Sequence, residues 1–390
     1  MKYSAITIDT NIATINGYNL EGGLLARLFQ FNGGSAAFII SEIVVREINK
    51  HLIDQAKETR QKLDQIVSKY AFHGLLDSDQ ISRIREIGSK SLEPRSAARQ
   101  RLDRFLKSTD ASVIKCEETS IKDLVKLYFD AQPPFELAGK KKSEFPDAIA
   151  LLSLEAWART NKKKILAISN DSGWRDYAQK SDWIDVESDM VQALQLLQEH
   201  ADAARKIVSE LISSASNGDR PDIIEAIEGY LAEEISSSSY YAEADAAHRV
   251  ETDFVEGEFQ AFAFHDRGEA EFEIDIVEMA ENKIVASVKL DTTASFKADF
   301  SFFVWDSIDK EEVGMGSSEA QTQEEFEHSV LLTFSGDFSK LPEVEIGEVE
   351  AVDLIDTVSF GYIEMDYGEP DEWDVDEAEA RAEAEDEMPF

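Results

Sequence analysis

The chain has 390 residues, 43% of them hydrophobic, which is more than one core of ordinary size holds and points to two or three domains. Its single cysteine, Cys116, excludes an internal disulfide framework, no Cys/His cluster has the spacing of a structural zinc site, and no apolar run approaches the ~20 residues of a membrane span. The formal net charge of −40 sits in one half: residues 1–200 hold 28 basic and 28 acidic side chains, the remainder 11 and 51, so the first half can still meet a polyanion while the second repels one.

The chain opens on strand-like MKYSAITID and not on a charged leader, so a cytoplasmic protein is expected. Tyr3–Ile8 reads as a strand and 20–31 as a helix, with Leu24, Leu25 and Leu28 at helical spacing. Asn32-Gly33-Gly34 punctuates, 36–40 is a second apolar run, and Ser41 is a good N-cap for a long helix reaching about Tyr70. Arg-rich helices follow over 75–108, then a strand over 111–115 with Cys116 at its end read as a buried apolar residue, and a short helix over 121–129. Pro146 suits the first position of a helix in which Ile149, Leu152 and Ala156 repeat on one face. KILAIS, 164–169, is a fourth strand. Strand alternating with helix predicts a parallel α/β sheet flanked by helices over 1–190, with a helical insertion at about 57–109.

Two helical stretches, about 188–213 and 221–235, make a helical connector over 191–239, with Ser236–Ser239 a boundary. From 240 to 367 apolar residues alternate in runs such as Phe296, Ala298, Phe300 and Phe302. Period two with intervening turns predicts an antiparallel β-rich domain of α+β type. Residues 368–390 are acidic and nearly free of aliphatics, the composition of a disordered acidic tail.

In an open parallel sheet, ligands sit beyond the carboxyl ends of the strands. Asp9 stands at the tip of the first strand, Asp171 follows the fourth, Glu47 lies on the second turn of the long helix, and Asp147 is in the first turn of its own helix, so four acids can meet at one edge. Clustered carboxylates repel one another and call for a cation; oxygen ligands alone suit Mg²⁺ or Mn²⁺, and the reaction such ions serve is phosphodiester hydrolysis. Glu144 is a candidate further ligand. Thr10, Asn11 and Asn170 are candidates to hydrogen-bond a ligand carboxylate or a water. Lys140, Lys141 and Lys142 are candidates to contact a phosphate backbone. Each has a plainer reading: Asp9 and Asp171 as helix caps, Glu47 as a solvated residue replaceable by Glu42, Asp147 as an acid favoured by the helix dipole, Trp157 and Trp174 as core, and the Arg95, Arg99, Arg101, Arg104 stripe as a solvated face or a substrate wall.

The residues resemble the PIN-domain nuclease family: ITIDTN with Asp9, VVREI with Glu47, EFPDAIALL with Asp147 and ISNDSGW with Asp171 stand in the family's order over about residues 1–190. The match is closest to the larger branch with an additional C-terminal domain of unassigned role. The resemblance implies a metal-dependent endonuclease acting on single-stranded nucleic acid, RNA favoured over DNA; the lack of a long apolar run leads to the expectation of no membrane association. A protein partner or a homo-oligomer formed through the C-terminal domain is a further expectation. The length departs from the small toxins of the family and leaves toxin–antitoxin, defence and housekeeping roles open. The alternatives are a catalytically inactive binding module and an Asp-dependent phosphotransfer protein, the latter weakened because IDTNIA lacks a DxD.

Overall fold

A computed structural model describes residues 2–34, 36–72, 77–91, 93–135, 144–198, 200–266, 268, 271–307 and 310–365. Lys140, Lys141 and Lys142, and the tail expected over 368–390, lie outside the described residues. The chain forms two compact units. The first comprises Met1–Arg220, Ala270–Val288 and Val330–Val352, and the second Pro221–Glu269, Lys289–Ser329 and Asp353–Phe390.

The first unit is built on a parallel sheet of β1 (Ala5–Ile8), β2 (Ala37–Ser41), β3 (Ser112–Ile114), β4 (Ile165–Ile168) and β5 (Ile184–Glu187), in the order β3-β2-β1-β4-β5. β1 and β4 are buried at every position because helices cover both faces, which is why they read as unbroken apolar runs rather than alternations. Between β1 and β2 come α1 (Thr10–Ile15) and α2 (Gly23–Ala26). The long α3 (Glu42–Phe72), α4 (Ser78–Ser91) and α5 (Pro94–Ser108) fill the connection to β3. α6 (Ile121–Phe129) and α7 (Phe145–Asn161) lead to β4, α8 (Ser172–Ala178) to β5, and α9 (Met190–Gln195) and α10 (Ala201–Ser216) follow. Ser41 caps α3 as its sequence suggests, its Oγ accepting from Ile43 N at 3.3 Å.

Four local readings need correction. The single helix expected over 20–31 is α2 plus a 3-10 turn over Arg27–Phe31, because Gly22 is extended and Gly23 takes a φ of +58°. The helix expected over 188–213 is split into α9 and α10 at His200, whose φ is +64°. β5 extends the sheet by a strand whose half-buried, mixed composition hides it in the sequence. Cys116 is half-buried and opens a 3-10 turn, so it is not a strand-core residue.

The later chain supplies α11 (Pro221–Ser237), β6 (Tyr241–Asp245), β7 (Arg249–Phe264), β8 (Ile274–Ala280), β9 (Lys283–Asp306), β10 (Glu311–Ser335), β11 (Glu345–Ala351) and β12 (Thr357–Tyr362). In the first unit, β8 pairs antiparallel with the start of β9 and the end of β10 with β11; Val277, Val285 and Leu331 join the core of the parallel sheet. Arg27, buried, meets Glu278 at 3.7 Å and makes a short ion pair with Glu350, fixing this antiparallel portion to the turn after α2.

In the second unit, β7 pairs antiparallel with the rest of β9, as the alternation predicts, and α11 covers one face. Gly257 permits the close approach: a Cβ there would lie 2.8 Å from Ile235 O. β6 and β12 pair in parallel, against the antiparallel expectation; more than a hundred residues separate them, so no hairpin dictates their direction.

Candidate metal centre

The order β3-β2-β1-β4-β5 reverses direction between β1 and β4, and this switch point is where the ends of two neighbouring strands leave a crevice. Ile8 and Ile168 are partners in register, so the residues that follow them, Asp9 and Ser169, emerge side by side. Ser169 Oγ donates to Asp9 Oδ2 at 2.8 Å, and Thr10 N donates to Asp9 Oδ1 at 2.6 Å. Asp9 is 5% exposed. Asn11 Nδ2 donates to Ser169 Oγ at 3.3 Å, and Asn11 Oδ1 accepts from the exposed Asn170 at its backbone N–H, 3.4 Å away. These contacts tie the start of α1 to the end of β4.

Asp171 caps α8, its Oδ1 accepting from Trp174 N at 3.2 Å, while its own N–H donates to Ser169 Oγ at 3.1 Å. The plain reading of Asp171 as a helix cap is therefore correct for one oxygen and leaves the other over. Gly173 is required here, since a Cβ would lie 2.9 Å from Asp171 Oδ1 and 3.0 Å from Pro134 Cβ. Asp147 sits in the first turn of α7, half-buried, and its Oδ1 accepts from the indole Nε1–H of Trp174 at 3.0 Å. Glu144 holds the N-cap position of α7 but makes no side-chain cap bond. Glu47, half-buried on α3, accepts from Thr10 Oγ1 at 2.6 Å.

Glu42, the sequence alternative to Glu47, is engaged elsewhere: it pairs with Arg46 at 2.6 Å and accepts from Cys116 N. Arg101 and Arg104 are drawn to Glu21 and Arg99 to Asp103, which leaves the arginine stripe largely in surface ion pairs. Trp174 is fully buried and Trp157 half-buried beneath Lys163. Sequence reading placed Trp174 in the core and passed over Ser169, yet these two, together with Thr10, supply polar contacts that orient the acids; the signal was their position within three residues of Asp171.

The electrostatics show that the acids sense one another. Burial, with a contribution from Asp147 and Asp171, pushes the Asp9 carboxyl up to about 7 despite the two hydrogen bonds it accepts. Burial likewise raises Asp147 to about 6, with Asp171, Glu47 and Glu144 adding to it. Among the described residues no three ligand oxygens of these acids lie mutually within 4.8 Å. The one group that tight is His265, Asp291 and Glu327 in the second unit. His265 is half-buried and the two acids are exposed, Glu327 already pairs with Lys289 at 2.8 Å, and we assign the cluster no role.

Residues 6–174 match the family model of the PIN domain. This part of the chain is a PIN domain. The comparison with curated proteins gave no match. PIN domains are generally nucleases that use divalent metal ions and bind nucleic acid, and the family model spans Asp9, Glu47, Asp147 and Asp171. No helix among the described residues is long and apolar enough to cross a membrane.

Proposed function

We propose that the chain is a metal-dependent endoribonuclease in which Asp9, Glu47, Asp147 and Asp171, with Glu144 as a further ligand, hold Mg²⁺ or Mn²⁺ at the β1/β4 switch point. The observation that carries this reading is Asp9: a carboxylate 5% exposed, raised to about 7 and set among further acids, with no cation paired to it among the described residues. Donors of this kind, hard oxygens with no His or Cys among them, fit Mg²⁺ or Mn²⁺. When bound, such an ion activates a water for attack on a phosphodiester and neutralises charge on the phosphate.

The chain's own residues prepare that step. Ser169 and Thr10 fix the Asp9 carboxylate, and Thr10 also orients Glu47, so one residue after β1 couples an acid of the sheet to an acid of α3. Asn11 and Asn170 brace Ser169 and the β4 end. Lys140, Lys141 and Lys142 supply phosphate contacts, and the substrate is single-stranded RNA, as the family resemblance implies.

The test is cleavage of an end-labelled single-stranded RNA, and of the matching DNA, by the full chain with Mn²⁺ or Mg²⁺. RNA cut in the middle of the strand, lost with EDTA and lost in Asp9→Asn, supports the proposal. Equal turnover by Asp9→Asn removes the site assignment, and metal-dependent binding without cleavage favours the inactive binding module.

A further inference from the structure

Trp174 touches two of the proposed ligands through two different atoms. Its indole ring is fully buried, and its only polar side-chain atom points at Asp147 Oδ1, 3.0 Å away. Its backbone N–H reaches Asp171 Oδ1 at 3.2 Å. Asp147 comes from α7 and Asp171 from the end of β4, so Trp174 links these separate elements at the acids themselves. Each carboxylate has Oδ1 held in this way, and no bond to either Oδ2 is found among the described residues. We infer that Trp174 is a positioning residue of the metal centre, holding Oδ1 of Asp147 and of Asp171 so that the opposite oxygens face the cation. This rests on the metal-site reading above.

An indole serves this purpose better than a hydroxyl or an amide. It donates one hydrogen bond and accepts none, so it cannot turn around and compete for the cation. Its rigid ring, packed in the core, fixes the donor's direction. Groups that hold ligand carboxylates from behind change metal affinity by about 10–100-fold when removed.

The test is Mn²⁺ binding to the full chain, read by electron paramagnetic resonance, for wild type, Asp147→Asn, Trp174→Phe and Trp157→Phe. Trp157→Phe removes the same atoms from Asp147's own helix, far from the acids, and controls for loosening of α7. Weakening by about 10–100-fold in Trp174→Phe, with Trp157→Phe within about 2-fold of wild type, is expected. Mn²⁺ affinity in Trp174→Phe equal to wild type, while Asp147→Asn is weakened, overturns the role of Trp174 alone. Absent binding in wild type, or undiminished binding in Asp147→Asn, overturns the metal-site reading and this inference together. Should Trp174→Phe fail to fold, the indole N–H resonances of wild type answer the question. They are assigned by Phe substitution at the other four tryptophans, Trp157, Trp183, Trp305 and Trp373, and followed as Mg²⁺ is added. The Trp174 signal should shift and saturate with the metal, and a stationary Trp174 signal overturns the inference.

Discussion

Replacing Asp9 with asparagine keeps the side chain's shape and removes its charge, which makes it a measure of how strongly the fold strains against its own site. In the metal-free protein, burial and the neighbouring acids raise the Asp9 carboxyl from 3.8 to about 7, so the folded state keeps a proton that the unfolded chain releases. Stability is therefore whole below the unfolded value, falls as pH rises from there towards about 7, and is level above. Each tenfold gain in proton affinity on folding is worth ~1.4 kcal/mol, so the full penalty is of order 4 kcal/mol, of which about 2–3 kcal/mol accrues between pH 5 and pH 8. The introduced amide escapes this but turns a third donor on Ser169 Oγ, which already receives Asn11 Nδ2 and Asp171 N, at a loss of about 1 kcal/mol.

Urea unfolding in EDTA should therefore show Asp9→Asn gaining on wild type by about 2–3 kcal/mol from pH 5 to pH 8, and standing about 3 kcal/mol above it at the upper end. Adding Mn²⁺ at pH 8 should close the gap by stabilising wild type alone, since a ligand that binds only the folded state shifts the equilibrium by mass action. A wild-type to variant difference that stays flat across this pH range would refute the reasoning, because it would mean that Asp9 is not strained by burial.

Glu47→Gln should lower RNA cleavage by about 10–100-fold or more, while Glu42→Gln, which loses only its pairing with Arg46 and Cys116, should stay within a few-fold of wild type in the same assay. Arg27→Ala leaves Glu278 and Glu350 without their shared cation and should destabilise the protein by about 3–5 kcal/mol in urea unfolding; a loss under about 1 kcal/mol would show that Lys283 alone satisfies Glu278. Deleting residues 369–390, which carry eleven acids and one arginine, should tighten RNA binding most at low salt if the tail competes as a polyanion; superimposable binding curves across a salt series would leave it a solubilising segment.

The parallel sheet and the acids at its edge were legible in the sequence because both rest on local signals: apolar runs ending in Asp9 and in Asn170-Asp171, and a Pro146-Asp147 helix start. α1 was legible only through Asp9 as a possible cap, because Thr10–Ile15 is too short to show a helical period and buries only Ile12 and Ala13. Most of what was lost is long-range. Alternation tells which residues face a core, not whose core, so nothing local says that Ala270–Val288 and Val330–Val352 fold with the first unit. A clue was nevertheless present in β9, where Ile284–Val288 is buried without interruption whereas Leu290–Phe302 alternates. The first stretch, IVASV, is covered on both faces and the second on one. The roles of Ser169 and Trp174 were out of reach for the same reason. Serine after a strand and tryptophan in a helix are common, and only the β1/β4 register and the α7 approach turn them towards Asp9 and Asp147.

The choice between a helix cap and a metal ligand at Asp9 turns on how this protein treats its other buried charges. Arg27 is enclosed by Glu278 and Glu350, and Glu278 also receives Lys283 at 2.9 Å. Glu155, buried on α7, has Arg159 at 3.0 Å, Ser181 at 2.9 Å and the Tyr177 hydroxyl in a short hydrogen bond. Each buried charge there is met by its opposite, as the cost of desolvating an ion demands. Asp9 is the exception among the described residues: it has two hydrogen bonds, no cation, and Asp147 and Asp171 as the charges that act on it. A cap needs neither this burial nor these neighbours, since an exposed aspartate accepts from a helix N–H as well. An uncompensated carboxylate set among acids at the sheet's switch point is a liability for folding that a bound divalent cation would remove, and this favours the proposed ion over a cap alone.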